Sequence, residues 1–302
     1  MSSNNNEVLK LRTLLGDYPT TLALKKGEIA SSGIALDFAD VKVPSSAFKR
    51  VIKGEFDAAE LAIMTYLQAK GWGVPLVALP VVVHGRFQHG QLAYNSERGH
   101  LRPEDLSGRR IGVRTYPQTT PTWIRGILQN QFGVDLSRIN WVTIEDGHVP
   151  EYQDPPNAQR APAGKNVLTM LLEGEVDAAI LTADQFKSNP QLKPLIPNPK
   201  EAAADWYKQN GAVQVNHIFT VSESLAKNNP QAVKEIFSLF VAGKKAAGEK
   251  HGVDGIDTVP VGYTANRKNF EVAAEYAWQQ RLIPRPLELN ELFDETTRAL
   301  EP

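Results

Sequence analysis

His217 is the first residue whose type and setting suit chemistry. Histidine is the residue type whose unperturbed side chain changes charge nearest neutral pH. It lies in Val215-Asn216-His217-Ile218-Phe219, an apolar run that reads as a strand. A histidine there serves either as a general acid–base or as a satisfied, half-buried side chain. Glu60 is the second. It follows Asp57-Ala58-Ala59, at a place where a similar stretch later in the chain has Ile180. Facing a cleft it would accept hydroxyl protons; otherwise it is a surface residue at a strand end. Arg86, Arg114 and Arg125 are the third group. A guanidinium binds a carboxylate through two parallel hydrogen bonds, although a lone surface arginine is usually solvated.

Two turns would bring such groups together. Gly16-Asp17-Tyr18-Pro19-Thr20-Thr21 follows the alternating run Leu9 to Leu15, and Thr115-Tyr116-Pro117-Gln118-Thr119-Thr120 follows Arg110 to Arg114. Each joins the carboxyl end of a strand to a helix N-terminus, where free N–H groups favour an anion. Thr20, Thr21, Thr119 and Thr120 either donate hydroxyls to a ligand or cap the helix.

The elements that hold these turns repeat. Gly54-Glu55-Phe56-Asp57-Ala58-Ala59 recurs as Gly174-Glu175-Val176-Asp177-Ala178-Ala179, each after an apolar helical run and before a short strand. With strands at 34–41 and 139–144, each half reads β-α-β-α-β. That order predicts parallel sheets with right-handed crossovers. Later, 213–221 reads as a strand, and helices follow from Asn229-Pro230, over 270–282 and over 288–300. Residues 98–108 read as a crossing between domains and 195–200 as a loop. The expected organisation is one lobe from residues 1–96 plus 206–302 and a second from 97–205, with the two turns facing a cleft.

Composition removes several classes. The 302 residues contain no cysteine, so disulfides, thiolate metal sites and cysteine nucleophiles are excluded. His84 and His89, five apart, fall on opposite faces of a strand and make a poor metal pair, and no His-Glu-x-x-His motif exists. No metal is expected. No glycine-rich nucleotide loop and no Gly-x-Ser-x-Gly elbow is present. With 33 basic against 34 acidic residues, no nucleic-acid partner is expected. The segment MSSNNN, followed by Glu7, lacks the pattern of a secretory leader, and no run suits a membrane span; a cytoplasmic, membrane-free protein is expected. Apolar helix positions such as 237–241 suit a homo-oligomer and core packing equally well.

The chain resembles the 4,5-dihydroxyphthalate decarboxylase family, within the periplasmic-binding-protein-like fold. The resemblance runs from about Leu9 to Leu292. It rests on Asp17-Tyr18-Pro19-Thr20, Phe56-Asp57-Ala58-Ala59-Glu60-Leu61, Arg86-Phe87-Gln88-His89, Leu106 to Val113, Tyr116 with Thr119-Thr120, Trp123-Ile124-Arg125-Gly126-Ile127-Leu128, and Leu282-Ile283-Pro284 before Glu291-Leu292-Phe293. Gln88 and Gly90 depart from the family pattern, which has Arg and Ser there. The departure points to a substrate with fewer carboxylates or to another anchoring scheme.

The resemblance implies an α/β, two-lobed protein, each lobe a mixed, mostly parallel sheet flanked by helices. It implies loss of CO2 from a hydroxylated, phthalate-like aromatic acid by ring-carbon protonation in the cleft, without a cofactor. His217 or His89 would be the acid and Glu60 the hydroxyl partner. Arg86, Arg114 and Arg125 would anchor carboxylates, and Tyr116, Thr119, Thr120, Trp123, Asp17 and Thr20 would line or position the substrate. Closing lobes would exclude water. Two other readings remain. One is a solute-binding protein of an ABC importer for a small aromatic or sulfonate anion. The other is a different enzyme on this fold, such as a menaquinone-pathway lyase. Thiamine-pyrimidine synthase relatives need a cysteine-rich motif that this chain lacks.

Overall fold

The computed structural model describes residues 8–248 and 252–302; MSSNNN and Glu7 lie outside them. The chain enters through β1 (Leu9–Leu14), α1 (Leu22–Lys25), β2 (Ile34–Phe38), α2 (Phe48–Ile52), β3 (Ala58–Ala62), α3 (Ile63–Gly71) and β4 (Leu76–Gly85). It continues through β5 (Leu92–Asn95), β6 (Arg110–Val113), α4 (Thr119–Asn130), β7 (Asn140–Thr143), β8 (Ala158–Arg160), α5 (Val167–Glu173), β9 (Ala178–Ile180), α6 (Ala183–Lys187), β10 (Leu192–Pro194) and α7 (Pro199–Asn210). It closes with β11 (Val215–Ser222), α8 (Glu223–Asn228), α9 (Pro230–Ala247), the short pair β12 (Gly252–Val253) and β13 (Ile256–Asp257), then α10 (Tyr263–Gln279), α11 (Leu289–Leu292) and α12 (Glu295–Arg298).

Two compact units result. Of the described residues, the first holds those within 8–86, 215–248, 252–274 and 283–302; the second holds 87–214 and 275–282. These divisions fall earlier than 96/97 and later than 205/206, where the sequence placed them. β5 hydrogen-bonds to β9 and β10, so it is part of the second sheet. Trp206 of α7 packs its ring against Trp123 and Tyr276, which draws α7 and the end of α10 into the same unit. Residues 98–108 also lie inside the second unit.

The first unit has a five-stranded sheet in the order β2-β1-β3-β11-β4. β2, β1 and β3 are parallel; β11 runs antiparallel to both β3 and β4. The second has six strands in the order β10-β5-β9-β6-β7-β8, parallel from β9 to β8 and antiparallel at β5 and β10.

The internal repeat has a structural cause. In the first unit the Arg12 N–H donates to Asp57 at 2.8 Å, and β1 pairs Thr13 with Ala58. In the second the Arg110 N–H donates to Asp177 at 2.8 Å, and β6 pairs Ile111 with Ala178. Each aspartate ties the start of one strand to its parallel neighbour. Gly54 and Gly174 precede them with φ of 78° and 80°, a left-handed turn that favours glycine.

α9 shows how sequence pattern becomes packing. Pro230 occupies its first turn, and Val233, Ile236, Phe237 and Phe240 recur at helical spacing and are buried. They join Leu11, Leu79, Phe219 and Val221 of the sheet, with Phe219 and Phe240 4.6 Å apart between ring centres. The helix also meets the first Tyr-Pro turn. A Cβ on Gly243 would lie 2.5 Å from the Thr20 carbonyl oxygen and would collide with Leu24. Gly243→Ala is expected to cost about 2 kcal/mol through overpacking, although alanine is the better helix former. Urea unfolding measures it; an unchanged or raised midpoint would contradict the close approach.

Candidate functional site

Glu60 lies in β3, every residue of which is buried, and its own side chain is 0% exposed. An ionised carboxylate there requires donors from all sides. The Gly16 N–H donates to Oε2 at 2.7 Å. The Tyr18 hydroxyl donates to Oε1 at 2.6 Å. His217 Nδ1 meets the same oxygen at 2.5 Å. Burial pushes the Glu60 pKa up, but the hydrogen bonds and charge of His217, Tyr18 and Gly16 outweigh it, and the net shift is downward. With Glu60 ionised, Nδ1 carries the hydrogen, which leaves Nε2 as the atom of His217 that exchanges a proton.

Local structure places each member. β3 and β11 pair Phe219 with Glu60 and His217 with Ala62. β11 and β4 pair His217 with His84, and the register shifts on both sides of His217, an irregularity that re-aims side chains at a sheet end. The turn after β1 is fixed by Thr21, whose hydroxyl donates to the Gly16 carbonyl at 2.8 Å and accepts the Tyr18 N–H at 2.9 Å. Three rings enclose the dyad. Tyr18 stacks on His84 at 5.6 Å between centres, His84 meets His217 edge-on at 5.7 Å, and Phe48 meets His217 edge-on at 5.3 Å. Burial, with the charges of His217 and Arg86, pulls His84 down to about 4, against the pull of Glu60. Burial and the Glu60 charge push the Tyr18 hydroxyl up, so it stays a donor.

Several expectations change. Glu60 is not a surface residue: its side chain is 0% exposed and its oxygens take hydrogen bonds from Gly16, Tyr18 and His217. His89 is 1% exposed; it sits in a short turn, with Nε2 3.0 Å from Gln131 and its ring against Trp206. Burial pulls its pKa down to about 4 despite the Gln131 bond. Asp17 is exposed and paired with Lys25 at 2.5 Å. Thr20 is buried beneath α9. The helix after the first turn is the single-turn α1, so only the second turn opens a long helix. Arg86 is half-buried two residues beyond His84.

In the second unit Arg125 is fully buried and is not a solvated surface residue. Its Nε donates to Gln280 at 2.7 Å and its Nη2 to the Tyr116 carbonyl at 2.8 Å, with the guanidinium 3.8 Å from the centre of the Tyr116 ring. Burial pulls its pKa down, opposed by Tyr116, Tyr152 and Asp154. Tyr116 packs edge-on against Trp141, and Trp123 against Trp206 and Tyr276, so both aromatics are core. Thr119 is buried and Thr120 half-buried at the start of α4. Arg114 is about half exposed and paired with Glu145 at 2.8 Å. Among the described residues no cluster of three or more His, Cys, Asp or Glu suits a metal ion, and no helix is long and apolar enough to cross a membrane.

Comparison with known proteins gives the arrangement its context. Residues 18–153, less than half of the chain, match the family described as NMT1/THI5 like. A 4,5-dihydroxyphthalate decarboxylase of Comamonas testosteroni is 28% identical over 257 residues, covering 79% of this chain and 76% of that protein. The chain is similar to the 4,5-dihydroxyphthalate decarboxylases. A second, from Pseudomonas putida, is 29% identical over 66% of this chain and 82% of its own length. The resemblance read from sequence is thus borne out. In architecture the protein is similar to the periplasmic aliphatic sulphonate binding protein SsuA of Escherichia coli, with a TM-score of 0.59 and 12% identity over 94% of this chain and 91% of that one. The periplasmic-binding-protein-like fold is therefore borne out as well.

Because the Glu60 pKa is lowered by folding, its stabilising effect is present above its ordinary value of 4.5 and is lost as the pH falls through the lower folded value. Glu60→Gln is expected to lower stability by roughly 3 kcal/mol near neutral pH and by much less in strong acid. Urea unfolding across that range measures this; a difference independent of pH would show that the carboxylate is not held ionised.

Proposed function

We propose that the protein is a carbon–carbon lyase that removes CO2 from a hydroxylated, phthalate-like aromatic acid, with 4,5-dihydroxyphthalate to protocatechuate as the reference reaction. The Glu60–His217 dyad carries this reading. It supplies what the reaction needs from a protein, an oriented acid that hands a proton to carbon. The similarity to two proteins named 4,5-dihydroxyphthalate decarboxylase supports the same reading.

The chemistry balances with this chain's own groups. A ring hydroxyl para to the reacting carboxylate gives up its proton to solvent, and the oxygen lone pair pushes electrons into the ring. The ring carbon bearing the carboxylate takes a proton from His217 Nε2, forming a C–H bond. The C–CO2 bond then breaks, its electron pair restores the aromatic ring and the phenolate, CO2 leaves, and the phenolate oxygen takes a proton back from solvent. His217 regains a proton from solvent. Glu60 fixes the tautomer and direction of the ring throughout, and Tyr18 and Gly16 fix Glu60. Arg86, on the same unit as the dyad, is the carboxylate anchor in this scheme. Arg125 acts as a positioning residue that holds Tyr116 and the second turn, and Arg114 is a peripheral cation.

The proton donor is His217 and not His89, which is 1% exposed and packs against Trp206 with Nε2 on Gln131. CO2 release from 4,5-dihydroxyphthalate, with chelator present, tests both points. His217→Gln is expected to lose about 100-fold or more in kcat, and His89→Gln to retain activity if folded. Full activity in His217→Gln would overturn the donor assignment. Binding of the acid without turnover would overturn the enzyme reading in favour of a solute-binding protein.

A further inference from the structure

The dyad leaves one group without a task. His84 is half-buried at the end of β4, between the Tyr18 ring and the edge of His217. Among the described residues its ring nitrogens carry no hydrogen bond, and neither is a buried orphan, so both reach solvent. Its neighbours have their polar atoms committed. The Tyr18 hydroxyl and His217 Nδ1 both go to Glu60, and Glu60 takes its third donor from Gly16. In the proposed reaction His217 Nε2 delivers the proton to carbon. The unprotonated ring nitrogen of a neutral His84 is then the remaining acceptor of this cluster that a bound molecule can reach.

We propose that His84 is the substrate-recognition residue for the ring hydroxyl, accepting its hydrogen bond. This inference rests on the decarboxylase reading and sharpens its substrate class to aromatic acids that carry a free phenolic O–H. The groups facing His84 are consistent with an uncharged acceptor. His217 from β11 and Arg86 from the following loop oppose a positive charge on it, and only the buried Glu60 of β3 favours one. Tyr18 packs face-on and fixes the ring plane. The acceptor nitrogen of a neutral imidazole takes a hydrogen bond from a phenol and finds no proton on a methyl ether in its place. Sites built around a substrate hydroxyl discriminate strongly against ligands that lack it.

Calorimetric binding of three ligands to wild type, His84→Leu and His84→Gln tests the inference, with thermal melting as the check on folding. The ligands are 4,5-dihydroxyphthalate, its 4,5-dimethoxy counterpart and unsubstituted phthalate. Reactive complexes are measured in His217→Gln backgrounds. His84→Leu is expected to weaken binding of the dihydroxy acid about 10-fold or more and to leave phthalate within about 2-fold. His84→Gln, which keeps an acceptor, is expected to restore most of the difference. Equal losses for dihydroxyphthalate and phthalate, or no loss for either, would overturn the assignment. So would wild-type binding of the dimethoxy acid as tight as that of the dihydroxy acid. Turnover by wild type is read separately. Its absence, with the binding pattern intact, would overturn the decarboxylase reading and leave His84 as the hydroxyl reader of a binding protein.

Discussion

A negative charge in the middle of a sheet is the constraint around which the first unit is organised. Desolvating a carboxylate costs several kcal/mol unless hydrogen bonds replace the lost water. Glu60 meets that requirement with a backbone N–H from the turn after β1, a phenol from the same turn and an imidazole from β11. The three donors come from parts of the chain that only the sheet order β1-β3-β11 brings together. The dyad is therefore a consequence of topology, and its orientation is as firm as the core beneath it.

The internal repeat makes the point by contrast. Both units use a glycine in a left-handed turn, then an aspartate that ties two parallel strands. At the next strand position that matters the copies part. Residue 60 is a glutamate against Phe219 of β11, whereas residue 180 is an isoleucine against Leu92 of β5. The same scaffold carries an apolar residue in one unit and the supported carboxylate in the other. The scaffold residues that both copies share explain the fold; the difference between copies marks the chemistry.

Much of the framework was legible in the sequence. The α9 spacing, the alternation of β1 and the repeated Gly-Glu-x-Asp-Ala-Ala each report a local physical rule. The settings that no local pattern shows depend on distant partners. Glu60 and His217 are 157 residues apart, and nothing local fixes the register that joins them. Arg125 lies off the apolar stripe of its helix and reads as solvated, yet Tyr116, Trp141 and Gln280 enclose it. Tyr18 looked like part of a turn because its role depends on reaching across to β3. His84 read as half of a poor metal pair, and its setting is made by Tyr18 and His217.

The central claim is that a proton is delivered to a ring carbon as CO2 departs. Proton NMR of 4,5-dihydroxyphthalate incubated with the protein in D2O measures it directly. The account predicts protocatechuate carrying a single deuterium at the ring carbon that lost its carboxylate. Unconverted 4,5-dihydroxyphthalate after prolonged incubation with folded protein, or a product with hydrogen at that carbon, would contradict it.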